Sequence, residues 1–150
     1  MSNKPKICVV IPAKNLHEIK ILISEACQHQ ADIIELRLDY LESLPDFSAI
    51  REITDIPLIA TCRRYDQRGY KKIPELIRIN LLINAIRAKF NYIDLEVNTP
   101  HLKNIISKIR HLKGKIIISK HNFNKVYTKK ELNNKLIYMR TFNADFYKII

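Results

Sequence analysis

Six short β-branched runs alternate with longer amphipathic stretches, and polar or charged residues recur at the downstream ends of five of the runs. This pattern predicts an α/β chain of the TIM-type (β/α)8 barrel, incomplete here at about six β/α units. Strands separated by helices, at roughly 25–30 residues per unit, call for right-handed parallel crossovers. Only two glycines occur, Gly69 and Gly114, and neither GxGxxG nor GxxxxGK[ST] is present. A nucleotide-binding doubly wound sheet, which needs phosphate-cradling loops, is thereby excluded.

The first strand is expected over residues 7–11, an apolar run that Pro12 ends. A helix over 17–30 leads to a second strand over 33–38. A short, weak helix over 47–53 and a strand over 58–62 follow. The helix over 73–89 and the strand over 92–97 make the next unit. In the helix over 100–112, Leu102, Ile105, Ile106 and Ile109 fall at helical spacing, with lysines on the opposite face. A strand over 115–119, a helix over 129–142 and a strand over 146–150 complete the pattern.

No Gly/Ser/Pro linker or shift of composition divides the chain, so residues 1–150 read as one domain. At 47% hydrophobic and 27% charged residues, it has the makings of a real core. No apolar run approaches the roughly eighteen residues that span a bilayer. Residues 7–11 also lack the length and cleavage pattern of a signal peptide, so a cytoplasmic protein with no membrane partner is expected. Cys8, Cys27 and Cys62 lack ligand or disulfide spacing and read as small buried hydrophobes in a reducing compartment. The net charge of +11 is spread along the chain, as in Lys103, Lys108, Lys113, Lys125 and Lys130. With no nucleic-acid motif or aromatic platform, this reads as solvated helix faces whose potential steers a small anion; no nucleic-acid partner is expected.

The strand ends carry the functional signal. Glu35, Arg37 and Asp39 alternate, so all three are expected on one side of the second strand. Thr61 and Arg63, Asp94 and Glu96, Ser119 and His121, and finally Lys148 repeat the placement. Strands buried on both faces normally read as continuous apolar runs, so these charges need a common polar destination. The mouth of a parallel barrel provides one. Internal salt bridges, such as Arg37 with Glu96, are the structural alternative. A lysine inside the apolar run 146–150 and a histidine one strand earlier suggest imine chemistry, with an amine nucleophile and a proton carrier.

Glu35-Leu36-Arg37-Leu38-Asp39 resembles the E-[WL]-R-x-D motif of type I 3-dehydroquinate dehydratases, the Schiff-base enzymes of the shikimate pathway. The segment from Pro57 to Arg63 is similar to their third strand, and Tyr92-Ile93-Asp94-Leu95-Glu96 to their fourth. Ser119-Lys120-His121-Asn122-Phe123 resembles the segment holding the catalytic histidine, and Ala144-Asp145-Phe146-Tyr147-Lys148-Ile149 the one holding the Schiff-base lysine. The resemblance implies a carbon–oxygen lyase that converts 3-dehydroquinate to 3-dehydroshikimate without a cofactor. Lys148 would attack the ketone as the neutral amine. His121 would take the C2 proton and assist loss of the C1 hydroxyl. Arg37 and Arg63 would hold the carboxylate and hydroxyls, Glu35 would accept a hydroxyl and pair with Arg37, and Leu36 would line the pocket. A small anionic substrate is the implied partner, and a homodimer is compatible with it.

Two departures stand out. Where many members carry a glutamate followed by two glycines, this chain has Gln67-Arg68-Gly69, with Asp66 as a substitute carboxylate one residue away. Six strands fit where a barrel needs eight, so a truncated chain is expected, with open edges that invite pairing with another chain. A degenerate, non-catalytic homologue and a basic nucleic-acid-binding module are the alternatives.

Overall fold

The computed structural model describes residues 4–124 and 126–150; residues 1–3 and Lys125, one of the dispersed cations, lie outside them. Six parallel strands form one sheet in the order β1-β2-β3-β4-β5-β6. They are β1 (Cys8–Ile11), β2 (Ile33–Arg37), β3 (Leu58–Thr61), β4 (Tyr92–Glu96), β5 (Lys115–Lys120) and β6 (Phe146–Ile149). Between them run α1 (Leu16–Gln28), α2 (Phe47–Arg51), α3 (Glu75–Arg87), α4 (Leu102–His111) and α5 (Lys129–Arg140). The sheet curves into the incomplete TIM-type barrel that the alternation predicts.

The helices are set by local chemistry. Asn15 caps α1 by accepting from the Glu18 N–H, and Asp46 caps α2 by accepting from the N–H groups of Ser48 and Ala49. Thr128 and Glu131 form a capping box on α5. α3 starts two residues later than expected because Pro74, at ψ 139°, is extended. α1, α3 and α4 are followed, two residues past their ends, by Gln30, Lys89 and Lys113, each in the left-handed region with φ between 56° and 66°. The paired bonds of a Schellman motif surround each of them, such as Lys113 N–H to Arg110 O at 2.8 Å and Gly114 N–H to Ile109 O at 3.0 Å. Gly114 is required by contact: a Cβ there would come within 2.9 Å of side-chain carbons of Ile86 and Ile109.

Strand alternation divides the sheet into two faces. Ile34, Leu36, Leu58, Ala60, Ile93, Leu95, Ile116 and Ile118 are fully buried in the apolar core beneath the helices. On the concave face, Val10, Glu35, Ile59, Tyr92, Ile117 and Phe146 line a cavity of about 680 Å³. Two sequence expectations change here. β2 stops at Arg37 and a 3-10 turn covers Leu38–Tyr40, so Asp39 is carried by the turn rather than by the strand. Only Cys62 is buried; Cys8 is exposed because β1 has a neighbour on one side alone, and Cys27 lies on the outer part of α1. Among the described residues no helix is long and apolar enough to cross a membrane.

Candidate active site at the strand ends

The register of the parallel ladder stacks the polar residues in levels. Arg37 is level with Thr61, and Thr61 with Asp94; one level further along, Glu96 is level with Ser119, and Ser119 with Lys148. Lys148 enters from β6 with about a third of its side chain exposed. Its Nζ donates to Glu35 Oε2 at 3.2 Å and Asp94 Oδ2 at 3.4 Å. The amine therefore stands between two carboxylates at the open side of the cavity, which Glu35 and Lys148 both line.

Asp94 links this amine to a buried charge network. It accepts from Arg63 Nη2 at 2.9 Å and Nη1 at 3.2 Å, and from the Ser119 hydroxyl. Arg63 Nη1 also reaches Glu96 Oε1 at 3.0 Å. The other oxygen of Glu96 accepts from Arg78 Nη1 at 2.9 Å. Arg78 further donates to the Cys62 carbonyl, Glu75 and Thr99. Burial pushes the Asp94 carboxyl up, but the charges of Arg63 and Lys148 and the hydrogen bonds outweigh it, leaving Asp94 below the ordinary carboxylate value. Arg63, 4% exposed, thus has both terminal nitrogens on protein acceptors, as the inward member of the Arg63-Arg64 pair. Arg64 is only partly in solvent, held by Asp66 at 2.9 Å.

Several expected contacts are rearranged. Arg37 pairs with Asp39 at 2.9 and 2.7 Å, not with Glu35 or Glu96, because the 3-10 turn brings the Asp39 carboxylate back toward β2. Asp39 also accepts from the N–H groups of Arg63 and Tyr70. Burial acts to raise its pKa, and these donors bring it below the ordinary value. Glu35 is taken by Lys148 instead. Leu36, expected to line the pocket, is completely buried in the apolar core. It lies between Glu35 and Arg37 on the strand, so the period of two turns it to the helix side.

His121 follows β5, half-buried, its ring stacked on Phe123 at 6.0 Å. Burial, with the charges of Arg63, Lys148 and Arg37, lowers its pKa to about 4 against the partial opposition of Asp94, so the imidazole is neutral at neutral pH. Its Nδ1 is buried with no partner among the described residues. Gln67 is buried beside it: Oε1 accepts from the His121 backbone N–H at 3.4 Å, and Nε2 donates to Asn98 Oδ1 at 3.0 Å. Asp66 does not substitute for the missing carboxylate, since it is exposed and pairs with Arg64. Gly69 closes this loop so tightly that a Cβ would stand 2.2 Å from the Arg63 carbonyl oxygen.

Sequence reading missed Arg78, one of the largest fully buried side chains. The signal was present: Arg78 lies four residues before Leu82 and eight before Ile86, both buried on the same side of α3. A cation in an apolar stripe needs a buried partner, and Glu96 is that partner.

A sequence model described as type I 3-dehydroquinase matches residues 7–150. The chain is 37% identical over 151 residues to a 3-dehydroquinate dehydratase of Coxiella burnetii, covering 99% of this chain and 62% of that one. It is 34% identical to the enzyme of that name from Dehalococcoides mccartyi, covering 100% and 64%. Among solved structures, the 3-dehydroquinate dehydratase of Geobacillus kaustophilus superimposes with a TM-score of 0.90 at 21% identity, over 99% of this chain and 62% of that one. The type I enzyme of Clostridium difficile, solved with covalently modified comenic acid, gives 0.85 at 31% identity, over 99% and 63%. The chain thus spans less than two thirds of the length of these relatives. With the strand-end lysine and histidine in the same order as the motifs and the match running through all six strands, the chain belongs to the type I 3-dehydroquinase family.

Proposed function

We propose that this chain carries the imine-forming half of a 3-dehydroquinate dehydratase, within one barrel domain over residues 1–150. The observation that supports this most is the Lys148 amine at the open side of a cavity, with the neutral His121 imidazole at the rim of the adjacent strand. Lys148, as the free amine, adds to the C3 ketone of 3-dehydroquinate, and loss of water gives an iminium. Neutral His121 removes a proton from C2, and the electron pair passes into the iminium to give an enamine. The enamine expels the C1 hydroxyl, which leaves as water with the proton that His121 returns. Hydrolysis then frees Lys148 and 3-dehydroshikimate. Asp94 and Glu35 hold the amine in place between turnovers. Arg37, 18% exposed, is the more open guanidinium and would take the substrate carboxylate, with Arg63 lending charge from behind. The reducing interior of a cell suits the three free cysteines.

Borohydride reduction in the presence of 3-dehydroquinate tests this reading. A mass increase localised to Lys148, absent in Lys148→Arg, is expected. Folded protein that gives no adduct would sink it and favour a non-catalytic homologue in which Gln67 has replaced a working carboxylate.

A further inference from the structure

His121 does not line the cavity that Lys148 lines; it opens on a second recess of about 520 Å³ at the strand ends, shared with Gln67, Arg68, Phe123, Tyr127 and Lys135. Its Nδ1 has no hydrogen-bond partner among the described residues, and Gln67 accepts from its backbone N–H, not from the ring. The imidazole is instead stacked on Phe123, with 19° between the ring planes. Phe123 is 42% exposed and lies in the irregular segment after β5. Arg68 covers it, with the guanidinium carbon 4.0 Å from the ring centroid. Arg68 itself stands at φ 60° and ψ 38°, a left-handed conformation in which glycine escapes the crowding of a Cβ. The turn holds it there: Gln67 and Gly69 both donate to the Arg64 carbonyl at 2.9 Å, and Arg68 donates to that of Tyr65 at 3.2 Å.

We propose that Arg68 is a positioning residue for the reaction: laid on Phe123, its guanidinium holds that ring against His121 and keeps the imidazole from swinging into the recess. The inference rests on the reading of His121 as the proton carrier. A proton carrier works only when its ring is held at one angle, and hydrogen bonds to the ring are the usual means. Here Gln67 is spent on the backbone of His121 and on Asn98, so packing has to supply the orientation. A planar guanidinium suits the task, since it can lie flat on an aromatic face where an ammonium cannot. The recess matters because it gives a released ring somewhere to go. Burial and the charges of Arg63, Lys148 and Arg37 keep the held imidazole neutral down to about 4, with Asp94 opposing them. Asp66, Lys120 and Lys135 line the recess beyond, and Asp66 is already paired with Arg64. A ring turned outward gains water and loses the burial that keeps it neutral.

The test is an NMR titration of the His121 Cε1–H in the 150-residue chain, its signal assigned by its loss in His121→Asn. Arg68→Gly is expected to raise the titration midpoint from about 4 by about one pH unit, while the melting temperature stays level or rises because the left-handed turn is relieved. Phe123→Leu removes no charge and is expected to raise the midpoint alike. In the double variant the two effects should not add, because Arg68 acts through Phe123. Arg68→Asn, which also tolerates the left-handed region, replaces the glycine variant if that one does not fold. A midpoint unmoved in the Arg68 variants overturns the proposal, since a merely structural arginine changes stability alone. A shift that persists in full in the Phe123→Leu background also overturns it, because it marks the direct effect of a removed charge. No substrate enters the measurement. A failed borohydride assay therefore leaves the titration readable, and an unmoved His121 leaves the Lys148 chemistry standing.

Discussion

The middle of the sheet and its two edges are built on opposite terms. β3 is buried at every position, and beside it Arg63, Asp94, Glu96 and Arg78 satisfy one another almost out of contact with water. β6 has no buried residue at all, and its Lys148 shares two carboxylates in partial contact with solvent. The difference separates support from chemistry. Charges that are enclosed and fully partnered are costly to disturb and have little freedom to act. The Lys148 amine, by contrast, keeps partial contact with solvent and lines the cavity.

The largest effect should come from breaking the enclosed side. Arg63→Met leaves Asp94 and the near oxygen of Glu96 as buried carboxylates without their main partner, and is expected to cost about 3–5 kcal/mol in urea denaturation. Phe146→Ser at the open edge should cost under about 1 kcal/mol in the same measurement, because over half of the side chain is already in water. Similar losses at the two positions would erase the contrast.

Acid should probe the border between the regions. The unfolded chain protonates His121 near its ordinary 6.5, whereas the folded chain holds it neutral down to about 4. The unfolded state therefore binds more protons in this window, and stability falls as the pH drops from about 6.5 to about 4. Below that, Asp39 and Asp94, both lowered by folding, lose their stabilising contribution as they protonate. His121→Asn should flatten the upper window and leave the lower one intact in denaturation curves collected at stepped pH.

The smallest change tests the helix ends that hold both regions. Lys113, at φ 62°, occupies a position that glycine adopts without a steric cost. Lys113→Gly should raise stability by about 1 kcal/mol, read as a higher melting temperature. Lys89→Gly, at φ 66°, should behave alike.

Much of this molecule was legible in residue patterns because the relevant physics is local. Period-two apolar runs and capped amphipathic stretches specified six strands and five helices in the right order, with boundaries shifted by at most two residues, as where Pro74 or a left-handed residue intervened. The family motifs likewise placed His121 and Lys148 at neighbouring strand ends. Pairing was not legible. Nothing in the chain near Glu35 says that its partner lies 113 residues away at Lys148, and nothing near Arg37 says that a 3-10 turn returns Asp39 to it. The motif resemblance drew Leu36 into the site beside Glu35, and only the pleat sent one to the core and the other to the cavity. Arg78 was hidden for a related reason: its role is set by Glu96, across a helix–sheet contact that no local rule describes. The sequence by itself therefore determined the kinds of element and the chemistry available at their ends. Tertiary structure decided which charge neutralises which, because that depends on distances that exist only once the sheet has curved.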